Sequence, residues 1–208
     1  MPNHRTPATS TDHSPDASTD EPPHRAPEWT ADVPGATGTR LVRVPAAALD
    51  ALAAGDLETA QRALGDAPRL TPFVIGPRSR SVWARRSRQV AQDPADADWV
   101  TRLLVAPTGE VVGRAGFHGV PQDGTVEVGY EVAPEAQRRG HARAALRVLL
   151  DVARREPEVR TVRATIRPDN VASRSLAEAH GFVVTGEQWD DEDGLETIFE
   201  LDLASLPD

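Results

Sequence analysis

The chain has 208 residues, no Cys, 23 basic residues that are all Arg, and a formal net charge of −9. That length supports one well-buried domain with or without a tail, and the missing Cys excludes disulfides, thiolate metal sites and a Cys-borne acyl group. The net negative charge argues against a general nucleic-acid or anionic-membrane binder, and no apolar run reaches the roughly 18 residues that span a bilayer.

In chain order, residues 1–38 are rich in Pro, Thr, Ser, Asp and His and show no period, so they are expected to form a disordered tail. The folded domain is expected over residues 39–208. Arg40 to Val44 suits a strand. Ala46 to Leu64 suits a helix broken at Gly55-Asp56, with Asp56 capping the second piece. Arg78 to Val90 predicts another helix, whose arginines face either solvent or an acidic substrate. Val100 to Val105 and Val111 to Phe117 form a hairpin around Thr108-Gly109, and a turn at Pro121 to Gly124 leads to the strand Val126 to Val132. A helix from Ala142 to Ala153, stopped before Pro157, follows. Next come a strand over Val159 to Ile166 and a short helix capped by Asp169 or Asn170 and ended at Gly181. Strands at Phe182 to Thr185 and Thr197 to Leu201 complete the chain. The class is α/β (α+β): a mixed sheet in the order β-α-α-β-β-β-α-β-α-β-β with helices on both faces. Six scattered His without an H-x-x-x-H pair give no support for a metal.

The stretch VEVGYEVAPEAQRRGHAR from Val126 to Arg143 carries the chemistry. It reads strand, loop, helix. Amide groups at a helix start have no intrahelical partner, and with the helix dipole they attract anions. Gly140 admits close backbone approach, and Arg138, Arg139 and Arg143 suit phosphate oxygens.

Gln137-Arg138-Arg139-Gly140-His141-Ala142, with Asn170-Val171-Ala172-Ser173 and Gly181-Phe182 downstream, resembles the GNAT superfamily of N-acetyltransferases. The likeness is to the branch with the ribosomal-protein N-terminal acetyltransferases, and it covers roughly residues 39 to 203. It implies a mostly antiparallel sheet of six to seven strands and acetyl-CoA as cosubstrate. The pyrophosphate would be held at Gln137, Arg138, Arg139, Gly140, His141, Ala142 and Arg143. It also implies a bulged, splayed central strand whose backbone at Val132 and Ala133 pairs with pantetheine, and cofactor contacts from Asn170 and Ser173. For Asn170 the residues themselves equally permit plain helix capping, and a hydroxyl such as Ser173 near a helix start is more often just a cap.

Acyl transfer to an amine needs a group to take the ammonium proton. Glu127, ten positions before Gln137, is close to where several members of the superfamily place a catalytic glutamate. Glu127, Gly129 and Glu131 share one strand face, so Glu131 is the weaker candidate, and an arrangement with no essential carboxylate stays open. The superfamily often has a Tyr four residues before the helix-ending Gly, and here that position is Ala177. The single Tyr, Tyr130, faces opposite to Glu127, so water or a hydroxyl such as Ser173 is left to protonate the thiolate. The acidic loop Gln188 to Gly194 suits a cationic amine or is a solvated turn, and His118 either reaches the cleft or lies on the surface.

The expected activity is transfer of acetyl from acetyl-CoA to a primary amine, either a protein or peptide N-terminus or a small amine. A non-catalytic acyl-CoA-binding module on the same fold is the rival. A cytoplasmic monomer or homodimer with no metal, nucleic-acid or membrane partner is expected.

Overall fold

The computed structural model describes residues 22–66, 68–191 and 194–206. The strands are β1 (Glu28–Trp29), β2 (Arg40–Val42), β3 (Arg102–Val105), β4 (Val111–Phe117), β5 (Thr125–Val132), β6 (Thr161–Ile166), β7 (Val183–Asp190) and β8 (Gly194–Asp202). The helices are α1 (Ala46–Ala54), α2 (Leu57–Leu64), α3 (Pro77–Gln92), α4 (His141–Arg155) and α5 (Val171–Glu178). The sheet order is β1-β2-β3-β4-β5-β6-β8-β7. Every pairing is antiparallel except β5 with β6. The mixed, mostly antiparallel sheet agrees with the expected class, but it has eight strands among the described residues rather than six or seven.

Helices cover both faces. Neighbours along a strand point to opposite sides, and Leu103 and Leu104 divide accordingly. Leu103 packs with Leu49, Leu52 and Trp83 of α1 and α3, and Leu104 packs with Leu146 and Leu149 of α4. The break at Gly55 separates α1 from α2, and Asp56 accepts from the Thr59 N–H at 2.9 Å as its cap. No helix among the described residues is long and apolar enough to cross a membrane.

The expected boundary at Thr39 is corrected. Residues 22–38 pack on the domain, and Glu28 and Trp29 pair with Val42 and Leu41. Trp29 is 1 % exposed. Arg102 lies over its ring at 3.4 Å and donates to the carbonyls of Ala26 and His24 at 2.7 and 2.8 Å. A lone Trp in polar sequence has no period to read, but its ring buries enough apolar surface to offset the ordering of a short segment. The part of the expected tail over residues 1–21 lies outside the described residues.

Candidate active site

The site begins where two strands part. β5 pairs with β6 only from Thr125–Thr161 to Glu127–Arg163. Beyond that, Val128 to Val132 and Ala164 to Ile166 have no cross-strand partner between them. A cleft of about 610 Å³ opens there, lined by β5, β6, α3 and the start of α5. The Ala133 N–H donates to Val112 O and Glu127 O accepts from the His118 N–H, both toward β4. Backbone groups alternate in direction along a strand. Those of Val128, Tyr130 and Val132 therefore turn toward the gap. The expected pairing role for Ala133 is corrected, because its N–H is already spent on β4. Val132 keeps its N–H toward the gap, while its carbonyl accepts from Gln137 Nε2 at 3.1 Å.

A strand bulge implied by the resemblance is absent: β4 and β5 stay in unbroken register from Gly113–Val132 to Phe117–Val128. Gly129 has another reason. A Cβ there would lie 2.7 Å from His118 Nε2.

At the Val132 end of the gap, Gly140 caps α4 with φ 88°, a left-handed conformation that favours Gly, and no side chain caps the helix. The first intrahelical bond runs from the Ala144 N–H to Gly140 O. The amides of His141, Ala142 and Arg143 are thus without intrahelical partners. Gln137, Arg138, Arg139, Gly140 and Arg143 are exposed, and a Cβ on Gly140 would meet nothing within 4 Å. Arg138 itself holds φ 61°. This open turn of free donors with three cationic side chains fits a pyrophosphate.

Toward the other end stands Glu127. Its Oε1 accepts from Thr165 Oγ1 at 2.5 Å and lies 3.2 Å from His118 Nδ1. Burial alone would raise its pKa, but the hydrogen bonds from His118 and Thr165 outweigh it and hold the carboxyl below the ordinary range. Glu127 is not among the residues lining the cleft, whereas His118 and Thr165 are. Sequence reading left His118 undecided because the hairpin that brings it beside Glu127 is a matter of register. Glu131 is paired with Arg114, which removes it from the free carboxylates.

Across the gap stand Tyr130 and Ser173, and both line the cleft. Burial raises the phenol's pKa and the nearby Ser173 hydroxyl opposes this only partly, so Tyr130 keeps its proton at neutral pH. Ala177, where the resemblance implies a Tyr, is buried. Asn170 Oδ1 caps α5 by accepting from the Ser173 N–H at 3.1 Å, and Asn170 also lines the cleft, so capping and cleft contact coexist. Of the acidic hairpin, Glu192 and Asp193 lie outside the described residues, and Asp190 and Asp191 do not line the cleft. No group of three His, Asp or Glu among the described residues is arranged to hold a metal.

The family profile for the acetyltransferase (GNAT) domain matches residues 47–183. An uncharacterized N-acetyltransferase, p20, from Bacillus licheniformis is 27 % identical over 105 residues, which is 50 % of this chain and 59 % of that relative. The match thus spans less than two thirds of that relative's length. Among solved structures, RimL, a ribosomal L7/L12 α-N-protein acetyltransferase in complex with coenzyme A, aligns with a TM-score of 0.57 at 17 % identity, over 84 % of this chain and 99 % of that one. Mycobacterium smegmatis RimJ in complex with CoA-disulfide aligns at 0.56 and 21 % identity, over 88 % of each chain. At these identities the likeness shows the fold.

Proposed function

The chain belongs to the GNAT acetyltransferase family, and from that premise we propose that it transfers an acetyl group from acetyl-CoA to a primary amine. The observation that carries this reading is the parting of β5 from β6, with an uncapped, arginine-rich helix start at one end and the Glu127–His118 pair beside the other. RimL acts on a protein α-amine by its name, and a peptide α-amine or a small amine is the acceptor proposed here.

Acetyl-CoA would supply the thioester, with Gln137 to Arg143 holding its pyrophosphate. The backbone of Val132 and Tyr130 would pair with the pantetheine amides, as an added strand does. Asn170 and Ser173 flank that path at the start of α5. His118 takes the ammonium proton through the nitrogen over Gly129. Glu127, held ionised by Thr165, fixes the imidazole through Nδ1 and stabilises the cation that forms. Glu127 is then a positioning residue rather than the atom that meets the amine. On the opposite side Tyr130, beside Ser173 in the cleft lining, returns a proton to the departing thiolate. No Cys is present to carry the acetyl group, so the amine attacks the thioester directly.

The test is release of free thiol from acetyl-CoA across a panel of peptides and small amines, with calorimetry of acetyl-CoA. At least one amine is expected to turn over. Gly140→Asp should weaken acetyl-CoA binding about tenfold or more, through charge repulsion and loss of the left-handed turn. Acetyl-CoA binding with no turnover on any amine would establish the non-catalytic module instead. Unchanged affinity in Gly140→Asp would remove the loop assignment.

A further inference from the structure

The wall of the cleft that faces α3 is cationic, in a protein that carries a net charge of −9. Arg78, Arg85 and Arg86 lie seven and eight positions apart along α3, so they emerge on one helix face, and all three line the cleft. Arg114 of β4 joins them from the sheet.

Among the described residues neither Arg78 nor Arg86 forms an ion pair, and Arg114 is paired with Glu131. Arg86 is 5 % exposed, yet its partners are all neutral: Thr101 Oγ1 at 3.2 Å, Gln89 Oε1 at 2.7 Å and the His118 carbonyl at 3.0 Å. Burial, then the nearby charges of Arg85 and Arg114, lowers its pKa to about 10 against the smaller opposing pull of Asp96 and Glu127, which still leaves it protonated at neutral pH. Arg78 is exposed and has no ion pair among the described residues. Arg114 is 9 % exposed and bonds Glu131 through one terminal nitrogen, while its Nε is buried without a hydrogen-bond partner. A buried guanidinium with only neutral acceptors is costly unless an anion completes it.

The wall is separate from the pyrophosphate loop. That loop opens α4, which packs on the Leu104 face of the sheet, whereas α3 packs on the Leu103 face. The wall is also tied to the proton acceptor, because Arg86 holds the carbonyl of His118 itself. An anion bound there would therefore lie beside the reacting amine. The hairpin of β7 and β8 supplies only Glu196 to the cleft among its described residues.

We propose that the acceptor is a primary amine that also carries an anionic oxyacid group, carboxylate or phosphate, which Arg78, Arg86 and Arg114 receive on the α3 side of the cleft. This rests on the acetyl-transfer reading of the same cleft. Arginine suits such oxygens through its planar set of donors.

The experiment compares matched acceptors: aspartyl-alanine amide against asparaginyl-alanine amide, and phosphoethanolamine against ethanolamine. The full chain should favour one anionic member by roughly tenfold or more in kcat/KM, the order expected when a desolvated charge loses its partner. The favoured pair identifies carboxylate or phosphate as the source. Arg78→Glu, an exposed change at the start of α3, should collapse that ratio while acetyl-CoA affinity stays the same. A second readout needs no turnover. By calorimetry with CoA present, N-acetyl-aspartyl-alanine amide or N-acetyl-phosphoethanolamine should bind about tenfold tighter than its neutral counterpart. Equal affinities in both pairs, or a preference for spermidine over every anionic amine, would overturn the proposal. Retained discrimination in binding without any turnover would support the anionic site and overturn the acetyl-transfer reading alone.

Discussion

Gly129 and His118 exclude each other's side chains: a Cβ on Gly129 would sit 2.7 Å from His118 Nε2. No real Cβ contact is that short, and the clashing atom is the tip of a side chain that can swing. Gly129→Ala should therefore displace the imidazole from the cleft at little cost to the fold. Turnover should fall roughly a hundredfold, the usual worth of a positioned base, with a melting temperature within a few degrees of wild type. His118→Ala should match it. Wild-type rates in either variant would take His118 out of the proton path.

Glu127 predicts a pH dependence of stability. Its carboxyl titrates below the ordinary value in the fold, against the opposing effect of burial, because His118 and Thr165 bond the ionised form. The folded state thus binds the proton more weakly than the unfolded chain. Its stabilisation is complete above the unfolded pKa and disappears as pH falls through the lower folded value. Glu127→Gln should lower the urea midpoint near neutral pH, and the gap from wild type should close in acid below the ordinary carboxylate range. A gap that stays constant down to strong acid would contradict the ionised pair. In turnover, Glu127→Gln should cost less than His118→Ala, because it leaves the imidazole in place.

Tyr130 tests the other half of the proton path. Tyr130→Phe removes only the hydroxyl and keeps the ring in the cleft lining. It should lower kcat by about a hundredfold and leave acetyl-CoA affinity unchanged. Poorer thiol leaving groups should magnify the loss, and a thioester with a more acidic thiol should restore much of it. An unaltered kcat with native acetyl-CoA would assign thiolate protonation to water.

The N-terminal segment is expected to be structural. Trp29→Ala should destabilise by about 3–5 kcal/mol, since the ring is buried against Phe117 and under Arg102. Truncation to Thr39 should lower the melting temperature by on the order of 10 °C, whereas truncation to Pro22 should keep residues 22–38 in place and cost much less. Equal melting temperatures for both truncations would show that the segment adds nothing to stability.

Sequence alone located what is encoded locally. The anion-suited turn at Gln137 to Arg143 is legible because a β run, a glycine and a helical period follow one another within eighteen residues. The split at Gly55-Asp56 and the Asn170 cap are legible because capping is a contact over three positions. Tertiary structure decided what depends on strands meeting. His118 is nine positions from Glu127, and only the register of β4 on β5, with Phe117 opposite Val128, sets the imidazole against that carboxylate. Ala133 lost its expected role for the same reason, since register gave its N–H to Val112. The arginines of α3 read more readily as a solvated face than as a binding face until the sheet turned Arg114 toward them. Trp29 entered the core through a partner 73 positions away in Arg102. A local period reports which face of an element is apolar, whereas the identity of the opposing surface follows from long-range pairing, which leaves no trace in the spacing of residues.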